Sequence, residues 1–141
     1  MQKLRVCIGS NDGETIASTH MGDTDFFVIY DIFVSGEHSL VERRENRVKT
    51  LDHAKSDKMK AVLELISDVH ILVAQQRSPN FVRIARQTKY QPVIVSATDI
   101  QTVLSRLLAE FNSLSDLAAR RLQGEYSEAI PELGIRAINL E

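Results

Sequence analysis

Two short apolar runs, residues 4–8 and 26–33, flank a polar stretch over residues 9–25 that carries Gly9, Gly13 and Gly22. The first run is β-branched at its centre and stops at glycine; it is too short for an independent helix and suits a buried central strand. The polar stretch is rich in Asn, Asp, Gly, Ser and Thr, which bond their own backbone or tolerate positive φ, and so reads as a loop with room for a short strand near Thr15. The second run is dense in aromatic and β-branched residues, and Ser35-Gly36-Glu37-His38 then has the chemistry of a hairpin turn. The return strand, residues 39–48, is mostly charged, as an edge strand must be to discourage pairing with other molecules.

Beyond the hairpin the pattern alternates. Ser56 or Asp57 can cap a helix whose apolar positions Met59, Val62, Leu63 and Ile66 follow helical spacing. Residues 69–74 form a short apolar run suited to a strand covered on both faces. Ser78-Pro79 places a capping hydroxyl before a proline at the first helical position, with Phe81, Val82, Ile84 and Ala85 as the apolar stripe. Residues 92–96 make a further buried strand. Thr98-Asp99-Ile100-Gln101 reads as a capping box opening one long helix, whose stripe runs from Ile100 through Phe111 to Leu122 and stops at Gly124. That helix is expected to overhang the domain, and the tail after it either packs back or reaches a partner. The expected fold is α/β, three layers with helices on both faces of a mixed five-stranded sheet, in ribonuclease-H-like order.

A chain of 141 residues with 43% hydrophobic and 26% charged residues is in the range of one soluble domain. A net charge of −2 supplies no global field for a phosphate backbone, so nucleic acid is not an expected partner. The local cluster of Arg43, Arg44, Arg47 and Lys49, diluted by Glu42 and Glu45, is either a solvated edge or an anion or partner contact. One cysteine, Cys7, cannot form an internal disulfide and fits a reducing compartment. No apolar run approaches the roughly 18 residues of a membrane span, and no secretory leader is read, so a cytoplasmic protein is expected.

The chemistry-bearing residues exclude several classes. A phosphate loop needs glycines that open directly into a helix, but Gly9-Ser10-Asn11-Asp12-Gly13 leads toward another strand. A two-metal nuclease needs carboxylates on the central strands, and neither the first run nor residues 69–74 carries one. There is no GxSxG elbow, and Cys7 lies within an apolar strand, as a small core residue or a soft ligand at the strand end. His20, beside Met21 and Gly22 in the loop, is a hydrogen-bonding surface residue or an imidazole ligand for iron or zinc. His53, before the first helix, can lie near it, because loops on one edge of such a sheet converge. His38 and His70 read as structural.

The first strand ending in a small residue, then SNDGETIASTHMGDTDFFVIYDI with its Asp-Gly turn and His20-Met21-Gly22 motif, resembles the dinitrogenase iron-molybdenum cofactor biosynthesis family. The likeness extends through Glu45-Asn46, the helix after His53, and the helix-strand-helix end, about residues 3–112. It implies a ribonuclease-H-like binding module without nuclease activity, a cofactor-biosynthesis-like domain over residues 1–112, and a helical extension and tail over 113–141. His20 would be the cluster-contacting histidine and His53 would match the second His-containing segment. Where members often have a Gly-rich turn this chain has Gln75-Gln76-Arg77-Ser78-Pro79, which narrows the pocket or adds a donor at Arg77.

The resulting expectation is a non-enzymatic carrier of an iron-sulfur or iron-molybdenum cofactor precursor, or of an anionic small molecule, in nitrogen fixation. Its pocket would be lined by Ser10, Asn11, Asp12, His20, His53 and Arg77, with His20 and His53 on the metal. The alternative is a regulatory or scaffold protein that binds a partner, or a second copy, through the C-terminal helix and tail.

Overall fold

A computed structural model of the chain describes residues 1–50 and 56–134. The backbone runs β1 (Lys3–Ser10), β2 (Phe26–Phe33), β3 (His38–Glu45), α1 (Ser56–Leu65), β4 (Ile71–Ala74), α2 (Pro79–Gln87), β5 (Gln91–Val95), α3 (Ile100–Ala109), α4 (Phe111–Leu122) and β6 (Glu132–Leu133). The six strands form one sheet in the order β3-β2-β1-β4-β5-β6. β1 pairs antiparallel with β2, Lys3 opposite Phe33 through Ser10 opposite Phe26, and parallel with β4 through Val6 and Ile71. β3 closes one edge and is exposed along nearly its whole length. Among the described residues no helix is long and apolar enough to cross a membrane.

Strand periodicity divides the apolar residues between two cores. Leu4, Val6, Ile8, Val28, Ile32, Ile71, Val73, Val93 and Val95 face α3 and α4. Their neighbours in the chain, Cys7, Phe27, Ile29, Leu72 and Ile94, face α1 and α2. Both sheet faces are thereby covered, which is why the central runs read as continuous apolar segments. The three-layer α/β architecture stands as expected.

Three local expectations change. Among the described residues the sheet has six strands rather than five: Ile94 N–H donates to Pro131 O (2.9 Å) and Ser96 N–H to Leu133 O (3.3 Å), so the described part of the tail packs back as β6. The single long helix is two, α3 and α4, broken at Glu110 (φ −112°, ψ 22°). The break turns α4 onto the sheet instead of letting it overhang, and Phe111, Leu114 and Ala118 join the α3 core. The cap of α3 is Asp99, whose carboxylate accepts from Thr102 N–H at 2.9 Å, not Thr98, whose carbonyl is taken by Ile16 N–H. Ser78 does cap α2, accepting from Phe81 N–H at 3.1 Å with Pro79 next in the chain.

Arg121 fixes the end of α4. The residue is 1% exposed, and its guanidinium donates to Gln91 Oε1 (2.7 Å), Ala85 O (3.0 Å), Thr88 O (2.8 Å) and Ser127 O (2.7 Å). Two of these acceptors belong to the C-terminal turn of α2, where the negative end of the helix dipole favours a cation.

A second cationic junction ties β1, β2 and β3 to the turn before β4. Arg5 grips Asp31 with Nε and Nη2 (2.9 and 3.1 Å) and reaches Asp68 at 2.9 Å, and Arg44 meets the other oxygen of Asp68 at 2.9 Å. Arg5 holds the Asp31 carboxyl, and Arg44 foremost the Asp68 carboxyl, below the ordinary carboxylate range. A depressed folded-state pKa contributes stability above the unfolded pKa and loses it as pH falls through the folded one, here from about pH 4 downward. Asp68→Asn is therefore expected to flatten the loss of stability below about pH 4 while costing only about 1 kcal/mol at pH 7, because the pair is partly solvated. Urea unfolding at pH 7 and at pH 3 checks both halves, and an unchanged slope in the variant would contradict the assignment.

Candidate functional site

The loop between β1 and β2 works as two halves. In the first half, Ser10 Oγ accepts from Gly13 N–H (2.8 Å) and donates to Thr15 O (2.6 Å). Asp12 Oδ1 accepts from the N–H groups of Glu14 and Thr15, both at 2.8 Å, and these bonds draw its pKa down to about 2. Asn11 Oδ1 accepts from Asp25 N–H at 2.9 Å. Ile100 N–H bonds Glu14 O, so this half closes against the start of α3.

The second half presents His20. A single 3₁₀ turn, Met21–Asp23, follows it, with Asp23 N–H returning to His20 O at 2.9 Å. Met21 is buried against Gly9 at the end of β1: a Cβ on Gly9 would lie 3.0 Å from Thr24 Cγ2 and 3.1 Å from Met21 Cγ. Gly9 thus lets the turn seat on the strand. Thr24 is fully buried and donates Oγ1 to Met21 O at 2.9 Å. Asn46, just after β3, is also buried; its amide donates to Gly22 O (2.9 Å) and Thr24 O (2.8 Å), while Oδ1 accepts from Val48 N–H (3.2 Å).

Beside this turn, α1 and the start of α2 leave an open hollow. Met59, Val62, Leu63, Phe81 and Ile84 supply its apolar wall, and His20, Asp23, Lys58, Ser78 and Asn80 its polar groups. His20 itself is exposed. Lys58, by contrast, is 4% exposed and donates Nζ to Asp23 Oδ1 (2.6 Å) and Lys49 O (3.0 Å).

Of the residues expected from sequence, the hollow contains His20. Ser10, Asn11 and Asp12 do not line it: their side-chain oxygens accept from backbone N–H groups of residues 13–15 and 25. Arg77 is exposed and outside the lining, although its neighbour Ser78 belongs to it. His53 lies outside the described residues. Cys7 is fully buried, and desolvation pushes its thiol far above the usual range, which makes it a core residue rather than a ligand. His70 accepts Arg5 N–H on Nδ1 at 2.9 Å, and His38 opens β3 edge-on to Tyr30, so both are structural. Nothing in the sequence marks Lys58, Asn46 or the apolar wall as site residues. The helical stripes read equally well as core, and nothing in the spacing marks a lysine that turns inward.

Among the described residues no group of three or more His, Cys, Asp or Glu converges on a point that would enclose a metal ion. What the hollow offers a metal among the described residues is the imidazole of His20 and the carboxylate of Asp23, with Met21 in the lining beside them. No other side chain among the described residues donates to the carbonyls of Gly22 and Thr24, so truncating Asn46 strands both. Asn46→Ala is accordingly expected to cost about 2 kcal/mol in urea unfolding and to accelerate amide exchange at Asp23 and Thr24. Exchange unchanged at those amides would show that the clamp does not hold the turn.

No curated protein matches the chain. The model of the family described as dinitrogenase iron-molybdenum cofactor matches residues 2–110, from β1 to the break that separates α3 from α4. With the whole of the His20 loop and the hollow inside that span, the chain belongs to the dinitrogenase iron-molybdenum cofactor family.

Proposed function

We propose that the protein is a non-enzymatic carrier that holds an iron-sulfur or iron-molybdenum cofactor precursor, as cargo, in the hollow beside His20. The observation that carries this reading is the pairing of one solvent-accessible imidazole with an apolar wall in a family of iron-molybdenum cofactor proteins. Neutral imidazole binds iron well, and the apolar wall excludes water from the sulfide faces of a cluster. A site with so few protein donors holds its cargo by a small number of exchangeable bonds, which is what transfer to a recipient requires.

The positive end of α2, opening with Ser78 and Asn80 at the hollow, favours anionic cargo. The apolar face of α4, which a scaffold reading would offer to a partner, is instead buried on the chain's own sheet. The reduced, buried Cys7 agrees with a reducing compartment such as the cytoplasm.

Anaerobic reconstitution with iron and sulfide, and separately with isolated cofactor precursor, tests the reading. Wild type is expected to acquire charge-transfer absorption, and His20→Ala to lose most of it or to release the cluster at least about tenfold faster, as when a metal site loses a ligand. Identical spectra from both proteins would remove His20 from the site, and no cluster in either would overturn the carrier reading.

A further inference from the structure

We propose that Lys58 selects anionic cargo, and that Asp23 holds its ammonium while the hollow is empty. This deepens the carrier reading and rests on it for the nature of the cargo, but not for the anion site itself. The starting observation is a buried cation in the wall of an open cavity. Lys58 is 4% exposed, lines the hollow, and has Asp23 Oδ1 and Lys49 O as its acceptors. An ammonium has three donors. Among the described residues two are engaged, leaving one for a molecule in the hollow that Lys58 lines.

A second feature points to the same ligand class. α2 begins at this hollow, with Ser78 and Asn80 in its lining, and no acidic residue lies in its first turn to neutralise the dipole. Asp23 supplies the one carboxylate among the described lining residues, and its side chain is 32% exposed where that of Lys58 is 4% exposed. The carboxylate thus reaches solvent from its place in the wall, whereas the ammonium does not. A buried charge left without a partner is strongly unfavourable, so an empty carrier needs an internal anion. An arriving ligand with sulfide or oxygen acceptors takes the ammonium from Asp23, and on release the carboxylate returns. A bare ferrous ion meets a lysine and a helix N-terminus instead, and gains only Asp23 and His20.

Calorimetric titration of the full chain with thiosulfate, a dianion carrying sulfur and oxygen acceptors, separates these roles, with ferrous ion as the cationic control and iron-sulfide reconstitution run in parallel. Asp23→Asn is expected to tighten thiosulfate about fivefold, the size of a partly exposed ion pair. Lys58→Met is expected to weaken it more than about tenfold, and Lys58→Arg to retain it. If Lys58→Met does not fold, Asp23→Asn and Lys58→Arg decide alone. Unchanged thiosulfate affinity in Asp23→Asn, or no thiosulfate binding by wild type, overturns the proposal. Clusters acquired by wild type but lost in His20→Ala, together with thiosulfate affinity indifferent to Asp23 and Lys58, would leave the carrier reading standing and this inference false. Lys58-dependent thiosulfate binding with no cluster in any protein would do the reverse.

Discussion

Two carbonyls behind His20, those of Gly22 and Thr24, point into the protein, and the amide of Asn46 reaches both. A buried carbonyl left without a donor costs about 1–3 kcal/mol, so this one side chain decides whether the turn stays closed. Because Asn46 follows directly on β3, and Met21 and Thr24 rest on Gly9 at the end of β1, the position of His20 is set by the sheet. The helices supply the opposite wall. The hollow is therefore a gap between a strand-anchored turn and two packed helices.

The same frame explains why the loop needs so many polar residues and yet offers so few to a ligand. Ser10, Asn11 and Asp12 bond backbone groups of residues 13–15 and 25, and thereby replace the pairing that an irregular segment lacks. From sequence, polar side chains in a glycine-containing loop look the same whether they face a ligand or their own backbone. Composition alone could not separate the two halves of the loop. Position relative to the strand ends does, because the first half closes on α3 and the second on α1.

Much of the architecture was legible because single residues carried it. Gly9, the hairpin turn, the charged β3 and the Ser78-Pro79 cap each encode a local event with one physical cause. The break at Glu110 was not legible, since the apolar stripe continues across it without glycine or proline and the bend is imposed by packing: Phe111 and Leu114 reach the sheet only if the helix turns. β6 escaped for the opposite reason. A strand of two residues between Pro131 and Gly134 has no pattern of its own and exists because β5 presents an unpaired edge.

Arg121 connects these distant parts. By bonding the last turn of α2, the first residue of β5 and Ser127, it fixes the far end of the helix whose near end opens on the hollow. A cation belongs at a helix C-terminus and an anion at the N-terminus, so α2 is electrically complete only when something negative stands at its start. Its first turn has no acidic residue, and the carboxylate that the described lining contributes, Asp23, is bonded to Lys58. Among the described residues, α2 thus brings no carboxylate of its own to the place where its positive end meets His20 and the apolar wall, and that is where the proposed anionic cargo would sit.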